Sequence, residues 1–447
     1  MVALVEGLSA ALPKVDATIA PRLLAKACGP GRIRGTAVSL QAAMDKRPHR
    51  AGEVLSQELR KARYLHSRER RLVTEGMYAM LRHRRVLDAV LGGRDPALVR
   101  WLGFLVLRGL SPQDASEACG DPSVDFGSLA RLDEVLADRL GGNPDEAAAL
   151  VGSLDLGLAG DLRVSLGDQV GPFLAASNRR AALVLRVVGS PQAVAEQLAR
   201  EGLQTTACRW ARQGLVAARM MDLRGLGPFR QGRVEVQDEG SQLIAELAAA
   251  DPPDGPIVDF CAGAGGKTLA LAALLPDRTI RAFDVRRRAL DELGRRARRA
   301  GVGGRISTRP IRPKGDLPGR EIGRAGLVVV DAPCSGTGTL RRHPDLRLRL
   351  DRVAIAAYVR DQQAILRRAA TLVRPGGRLV YATCSVLGKE NNGVVEGFLS
   401  DHSGFRSVSM RALLPARADA LGGDCLRMTP HEHGTDGFFA AVMHRQG

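Results

Sequence analysis

From about Val236 onward, short apolar runs alternate with helical patterns: Ile257-Val-Asp-Phe260, Thr279-Ile-Arg-Ala-Phe283, Leu327-Val-Val-Val330 and Arg378-Leu-Val-Tyr-Ala382. Runs this short and continuous suit strands buried on both faces, and intervening helices supply the crossovers that a parallel sheet needs. Residues 236–447 are therefore expected to form a doubly wound, Rossmann-like α/β domain. Upstream the pattern changes twice. Residues 1–150 read as all-helical, with Ser67 as a cap before Leu72, Val73, Met77, Met80 and Leu81, and a buried helix around Trp101-Leu-Gly-Phe-Leu-Val-Leu107. The Gly/Asp-rich stretch Gly152 to Asp168 reads as a connector. Residues 165–235 read as a small α/β domain: a strand at Leu183–Val188, a helix opened by Ser190-Pro191 and closed by Gly202, and short strands near Leu203 and Leu215.

The strand ends carry the chemistry. Ile257–Phe260 runs into Asp259-Phe-Cys-Ala-Gly-Ala-Gly-Gly-Lys-Thr268, a glycine-rich turn between strand and helix. At the carboxyl edge of a doubly wound sheet, glycines let a nucleotide-like ligand approach the backbone, and the helix N-terminus offers free N–H groups. Cys261, Ala262, Gly263, Ala264, Gly265, Gly266 and Lys267 are thus candidate cofactor-binding residues. Gly266-Lys267-Thr268 also suits a phosphate-binding P-loop, but that pattern needs a glycine five residues before Gly266, where Cys261 stands. The second run ends in Asp284, about 20 residues past the turn, where a carboxylate can accept both hydroxyls of an adenosine ribose. The bland alternative is a strand-end turn with a solvated aspartate.

The last two runs lead into Asp331-Ala-Pro-Cys-Ser-Gly-Thr-Gly338 and Tyr381-Ala-Thr-Cys-Ser385. Adjacent strand ends would bring Cys334 and Cys384 to the edge that holds the glycine turn. A lone core cysteine is usually inert, but two beside a cofactor turn suggest covalent chemistry. One reaction needing such a thiol is methylation of cytosine carbon 5. A thiolate adds to carbon 6, carbon 5 becomes nucleophilic and attacks the methyl of a sulfonium donor, a base then removes the carbon-5 proton, and the thiol is eliminated. Asp331 would aid the addition by hydrogen bonding at N3 and N4, and both Asp331 and Lys267 belong with the catalytic as well as the cofactor-binding set.

The net charge of +17 favours an anionic partner, although only seven of the 65 basic residues are lysine and the arginine bias can partly reflect composition. Arg286 to Arg299 form either an RNA-facing stripe or a solvated helix face. The seven cysteines are scattered without a C-x-x-C pair, the first dozen residues hold Glu6 and no basic leader, and no apolar run approaches a membrane span. Neither a disulfide framework nor a zinc site is expected, and the chain is expected to be a cytoplasmic monomer with no membrane and no metal. His431-Glu-His433 reads as a surface loop rather than a metal site.

These segments resemble the RsmB/Nop/Sun family of RNA 5-methylcytosine methyltransferases, whose hallmark is a pair of cysteines in Pro-Cys-Ser and Thr-Cys-Ser contexts. The resemblance extends through Val236-Gln-Asp-Glu-Gly-Ser-Gln-Leu243, Thr339-Leu-Arg-Arg-His-Pro-Asp345 and Thr435-Asp-Gly-Phe-Phe439. It implies a class I methyltransferase domain using S-adenosylmethionine, with Cys384 bonding to carbon 6, Cys334 assisting release, and 16S rRNA as substrate. Ser177-Asn-Arg-Arg and Leu185-Arg-Val are similar to the family's RNA-contacting pre-catalytic domain. Arg63-Tyr-Leu-His-Ser-Arg-Glu-Arg-Arg-Leu-Val73 with Met80-Leu-Arg-His-Arg84 is similar to its helical NusB-like domain. The chain departs from the family at Gly263-Ala264, where members read Ala-Pro, at Ala289, where many carry arginine, and at Arg309-Pro-Ile-Arg312, which lacks the acid that reads adenine. Rival readings are an RNA-binding assembly protein with an inactive catalytic domain, a nucleoside triphosphatase, and an enzyme that methylates tRNA.

Overall fold

The computed structural model describes residues 19–139 and 143–447; the stretch around Glu6 lies outside them. Contacts divide the described residues into two compact units, one of those up to 180 with 339–354, the other of 181–338 with 355–447.

The first unit is helical, and its helices begin where the sequence places caps and prolines. Asp95, Ser111 and Asn143 each accept a backbone N–H from the first turn, and Pro96, Pro112 and Pro144 follow them at the first helical position. In the long helix Ser67–Leu91 the cap is His66 rather than Ser67: the His66 N–H donates to Glu69 at 3.0 Å. Trp101 is buried, its indole N–H donating to the Ala27 carbonyl at 2.9 Å. The expected connector is in fact the helix Leu156–Leu166, capped by Asp155, with Leu158, Ala159 and Leu162 buried. Its glycines serve close packing rather than a linker, since a Cβ at Gly157 would sit 2.9 Å from the Arg352 side chain.

Arg352 belongs to residues 339–354, which fold with this unit although both chain flanks belong to the other. Their anchor is Arg347, buried and donating to the carbonyls of Gly152 (2.8 Å), Leu340 (2.9 Å) and Ser177 (3.2 Å) and to the Asn178 side chain (2.9 Å). Ser177 and Asn178 are buried here, so half of the Ser177-Asn-Arg-Arg segment is committed to packing.

The second unit holds two sheets. The smaller runs β2-β3-β1-β4 and is antiparallel at each pairing: β1 is Leu183–Val187, β2 Thr205–Ala207, β3 Gly214–Ala217 and β4 Val234–Val236. It does not separate from the larger sheet as an independent unit. Buried Glu235 on β4 pairs with Arg296 at 2.9 Å and with Arg299, both on the helix Arg287–Arg299 of the larger layer. Arg186 on β1, grouped by resemblance with RNA-contacting segments, is buried and donates to Gln237 at 2.8 Å.

The larger sheet runs β10-β12-β9-β8-β5-β6-β7, with β11 paired to β12. Its strands are β5 (Ile257–Asp259), β6 (Ile280–Asp284), β7 (Ile306–Pro310), β8 (Ala325–Asp331), β9 (Val373–Thr383), β10 (Phe405–Val408), β11 (Leu426–Met428) and β12 (Phe438–Arg445). Strands β5 to β9 pair in parallel, and β12 is antiparallel to β9. Alternate residues of the apolar runs face opposite cores. Ile257, Leu327, Val329 and Val380 pack with Leu243 and Leu271 on one side; Val258, Val328, Val330 and Leu379 pack with Leu366 and Phe398 on the other. The chain leaves β5 toward β6 and β7, then returns to β8 on β5's other flank. Loops after β5 and β8 therefore diverge at the switch point where ligands of such folds bind. No helix among the described residues is long and apolar enough to cross a membrane.

Candidate active site

The turn after β5 needs its glycines. Gly263 (φ +55°) and Gly265 (φ +85°) adopt left-handed backbone, and a Cβ on Gly265 would lie 2.1 Å from Leu293. Gly265 donates to the Ala262 carbonyl at 2.9 Å, and the Ala262 N–H reaches Phe283 on β6 at 3.0 Å. Arg296 donates to the Ala264 carbonyl at 2.6 Å. The helix Gly266–Leu274 then starts with Gly265 at its cap. The arginine cluster is thus of two kinds: Arg296 and Arg299 point inward to Glu235, whereas Arg286, Arg287, Arg288, Arg295 and Arg298 are exposed.

Asp284, at the end of β6, accepts the Gly263 N–H at 2.7 Å, the Arg286 N–H at 2.8 Å and the Arg286 guanidinium at 3.1 Å. Burial opposes its charge, but the Arg286 side chain and the two backbone donors outweigh burial and hold the carboxyl below its ordinary range. Burial pushes the Cys261 thiol up, and neighbouring Asp259, Asp331 and Asp284 add to that. Three carboxylates around one glycine turn make a poor seat for a triphosphate and a good one for a ligand carrying positive charge. Lys267, the residue a P-loop would aim at phosphate, is buried against Asp331 instead, with Nζ to Oδ2 at 2.8 Å. Its ammonium also lies 5.8 Å from the centre of the Phe438 ring. Burial works against that charge, yet Asp331 overcomes it and raises the lysine's pKa.

Beyond β8 and β9 the thiols meet: Cys334 Sγ lies 3.4 Å from Cys384 Sγ. Contact with Cys384, then burial, raises Cys334 well above an ordinary thiol. The two loops are stitched by backbone as well, because Gly338 donates to the Cys384 carbonyl at 3.0 Å and packs on Gly437, where a Cβ would meet the Gly437 oxygen at 2.2 Å. All the sequence-predicted residues, Cys261 to Lys267, Asp284, Asp331, Cys334 and Cys384, lie on or just beyond β5, β6, β8 and β9. Unforeseen were Asp259, Arg286 and a buried polar group around Glu390. His431-Glu-His433 is a helical turn, Pro430–His433, rather than a loop: His433 accepts the Thr429 N–H at 3.0 Å and its ring lies 5.6 Å from Trp210.

Asp259 is buried under the glycine turn, with Oδ2 accepting the Thr268 hydroxyl at 2.6 Å and Oδ1 unpartnered. Burial raises its pKa to about 7. Below about pH 4 the group is neutral in folded and unfolded chains alike; between about pH 4 and 7 only the unfolded chain ionises freely, so stability falls by about 4 kcal/mol as pH rises through that window. Asp259→Asn should flatten this slope, which chemical denaturation at pH 5 and pH 8 would measure; equal slopes in both proteins would refute it.

Residues 247–444 match the family described as 16S rRNA methyltransferase RsmB/F. Over 419 residues the chain is 31% identical to a probable ribosomal RNA small subunit methyltransferase B of Synechocystis sp., spanning 84% of this chain and 91% of that protein. Ribosomal RNA small subunit methyltransferase B of Pseudomonas syringae pv. tomato is 32% identical over 290 residues, 63% of each. Among solved structures, PH0851 shares the fold with a TM-score of 0.72 at 24% identity, over 93% of this chain and 99% of that one.

Proposed function

Since this chain belongs to the RsmB/F family of rRNA methyltransferases, we propose that it methylates carbon 5 of cytosine in RNA, with small-subunit (16S) rRNA as substrate and S-adenosylmethionine as donor. It is an RNA methyltransferase, and the finer reading rests above all on two thiols 3.4 Å apart beside the Lys267–Asp331 pair. It acts as a cytoplasmic monomer, with its NusB-like helical domain and its small sheet presenting RNA.

The donor supplies an electrophilic methyl on a sulfonium. The glycine turn, Cys261 to Gly266, would hold its backbone-facing side and Asp284 its ribose hydroxyls; the orphaned Asp259 Oδ1 and the surrounding carboxylates suit its positive charge. Cys384 adds through sulfur to carbon 6 of a cytosine drawn out of its stack, which makes carbon 5 nucleophilic. Asp331 accepts a hydrogen bond from N4, and Lys267 fixes the orientation of that carboxylate and balances its charge. Carbon 5 takes the donor's methyl group as the bond from that methyl to the sulfonium sulfur breaks, then gives up its proton to a base. The electron pair left behind re-forms the 5,6 double bond and expels the Cys384 sulfur from carbon 6, with Cys334 assisting release.

Label from methyl-labelled S-adenosylmethionine should appear in 5-methylcytosine of small-subunit rRNA, and bisulfite mapping of rRNA from a deletion strain should show a lost site. No incorporation, together with no calorimetric binding of the donor, would sink the reading; incorporation into tRNA alone would move the substrate. Asp284→Ala should weaken donor binding by about 10- to 100-fold, the loss of charge-assisted hydrogen bonds. Unchanged affinity by calorimetry would remove Asp284 from the site.

A further inference from the structure

Glu390 is a carboxylate with no solvent contact, six residues beyond Cys384 and outside the chemistry just described. Its Oε1 accepts the Ser335 N–H at 2.8 Å and the Gln362 side chain at 3.0 Å, while Oε2 accepts the hydroxyls of both Ser335 and Ser385 at 2.5 Å. Its backbone carbonyl takes the Tyr381 hydroxyl at 2.7 Å. Ser335 follows Cys334 and Ser385 follows Cys384 in the chain. One buried acid therefore grips the residue next to each thiol, on loops from two different strands.

Burying a carboxylate is costly, and four neutral donors around it offset that cost only while all four stay in place. A group of this kind contributes less to stability than to uniqueness of arrangement. We infer that Glu390 is a positioning residue that sets the separation and facing of the Cys334 and Cys384 sulfurs through Ser335 and Ser385. This rests on the reading of those cysteines as the working thiols. Displacing a reacting group by about 1 Å can cost on the order of 100-fold in rate. Its negative charge also contributes, after Cys384 and burial, to keeping Cys334 in the thiol form. That favours Cys384 as the attacking sulfur.

The distance between the thiols can be read without turnover. Diamide takes up the two thiol hydrogens as a disulfide forms, and mass spectrometry of the full-length protein reports the rate of Cys334–Cys384 cross-linking. Glu390→Gln, which keeps the shape and removes one acceptor, should slow cross-linking at least about tenfold and lower kcat by about 10- to 100-fold, leaving the KM for S-adenosylmethionine within about twofold. Should Glu390→Gln fail to fold, Ser335→Ala and Ser385→Ala each cut one of the two grips and should slow cross-linking in the same direction. Wild-type rates of cross-linking and turnover in the folded variants would overturn the inference, as would a rise in the donor KM as large as the fall in kcat. A wild-type protein that makes no 5-methylcytosine would instead count against the proposed function, and the cross-linking comparison would still decide whether Glu390 sets the sulfur geometry.

Discussion

Cys384→Ala is expected to abolish methyl transfer, lowering turnover by about 10⁴-fold or more, the scale on which loss of a covalent nucleophile falls. No other group on the described edge of the sheet is equipped to replace it: Cys334 is half-buried beside it and held well above an ordinary thiol by Cys384 and by desolvation. Removing Cys384 takes away that contact, yet leaves burial and Glu390 acting against the Cys334 thiolate. The variant should still bind the donor, since Gly263 lies in the turn after β5 and Asp284 at the end of β6, away from β9. Single-turnover incorporation of labelled methyl, with calorimetry on the same sample, separates lost chemistry from lost binding. Residual turnover within tenfold of wild type would show that the bond to carbon 6 is made by another group.

Cys334→Ala should behave in the opposite way. With the sulfur 3.4 Å from Cys384 removed, addition and methylation proceed but release slows, by about 10²- to 10⁴-fold if Cys334 moves a proton in that step. Protein joined covalently to RNA should accumulate as a slow-migrating band on a denaturing gel, sensitive to ribonuclease. Replacing both cysteines should abolish the band. A band from Cys384→Ala, and none from Cys334→Ala, would reverse the two roles.

Much of this site was legible in the sequence because its parts are local. Ile257-Val and Leu327-Val-Val-Val330 are apolar at every position because successive side chains face two different cores, and that alone indicates a parallel sheet. The glycine turn, Asp284 and both cysteines then follow from strand ends. What escaped notice depends on distant partners. Strand β7, Ile306-Ser-Thr-Arg-Pro310, is an exposed edge without an apolar run, so nothing in its composition announces it. The arginines at 296 and 299 look like surface charge until Glu235, more than 60 residues earlier in the chain, is placed beside them. Glu390 sits in Gly388-Lys-Glu-Asn-Asn392, which reads as a polar turn; only the meeting of two loops from different strands buries it.

Arg347 carries a consequence for how the protein is made. Its hydrogen bond to Gly152 joins positions 195 residues apart in sequence. Closing so long a loop costs on the order of 5 kcal/mol in chain entropy, incurred before the buried guanidinium finds its carbonyls. During synthesis the helical unit cannot gain this last piece until residues 339–354 have emerged, and by then β5 to β8 have already been translated. Neither unit is a continuous stretch of chain, so the amino-terminal helices must wait, unfinished, for an anchor encoded after the first thiol loop. High contact order of this kind predicts slow maturation and a nascent chain dependent on protection from aggregation.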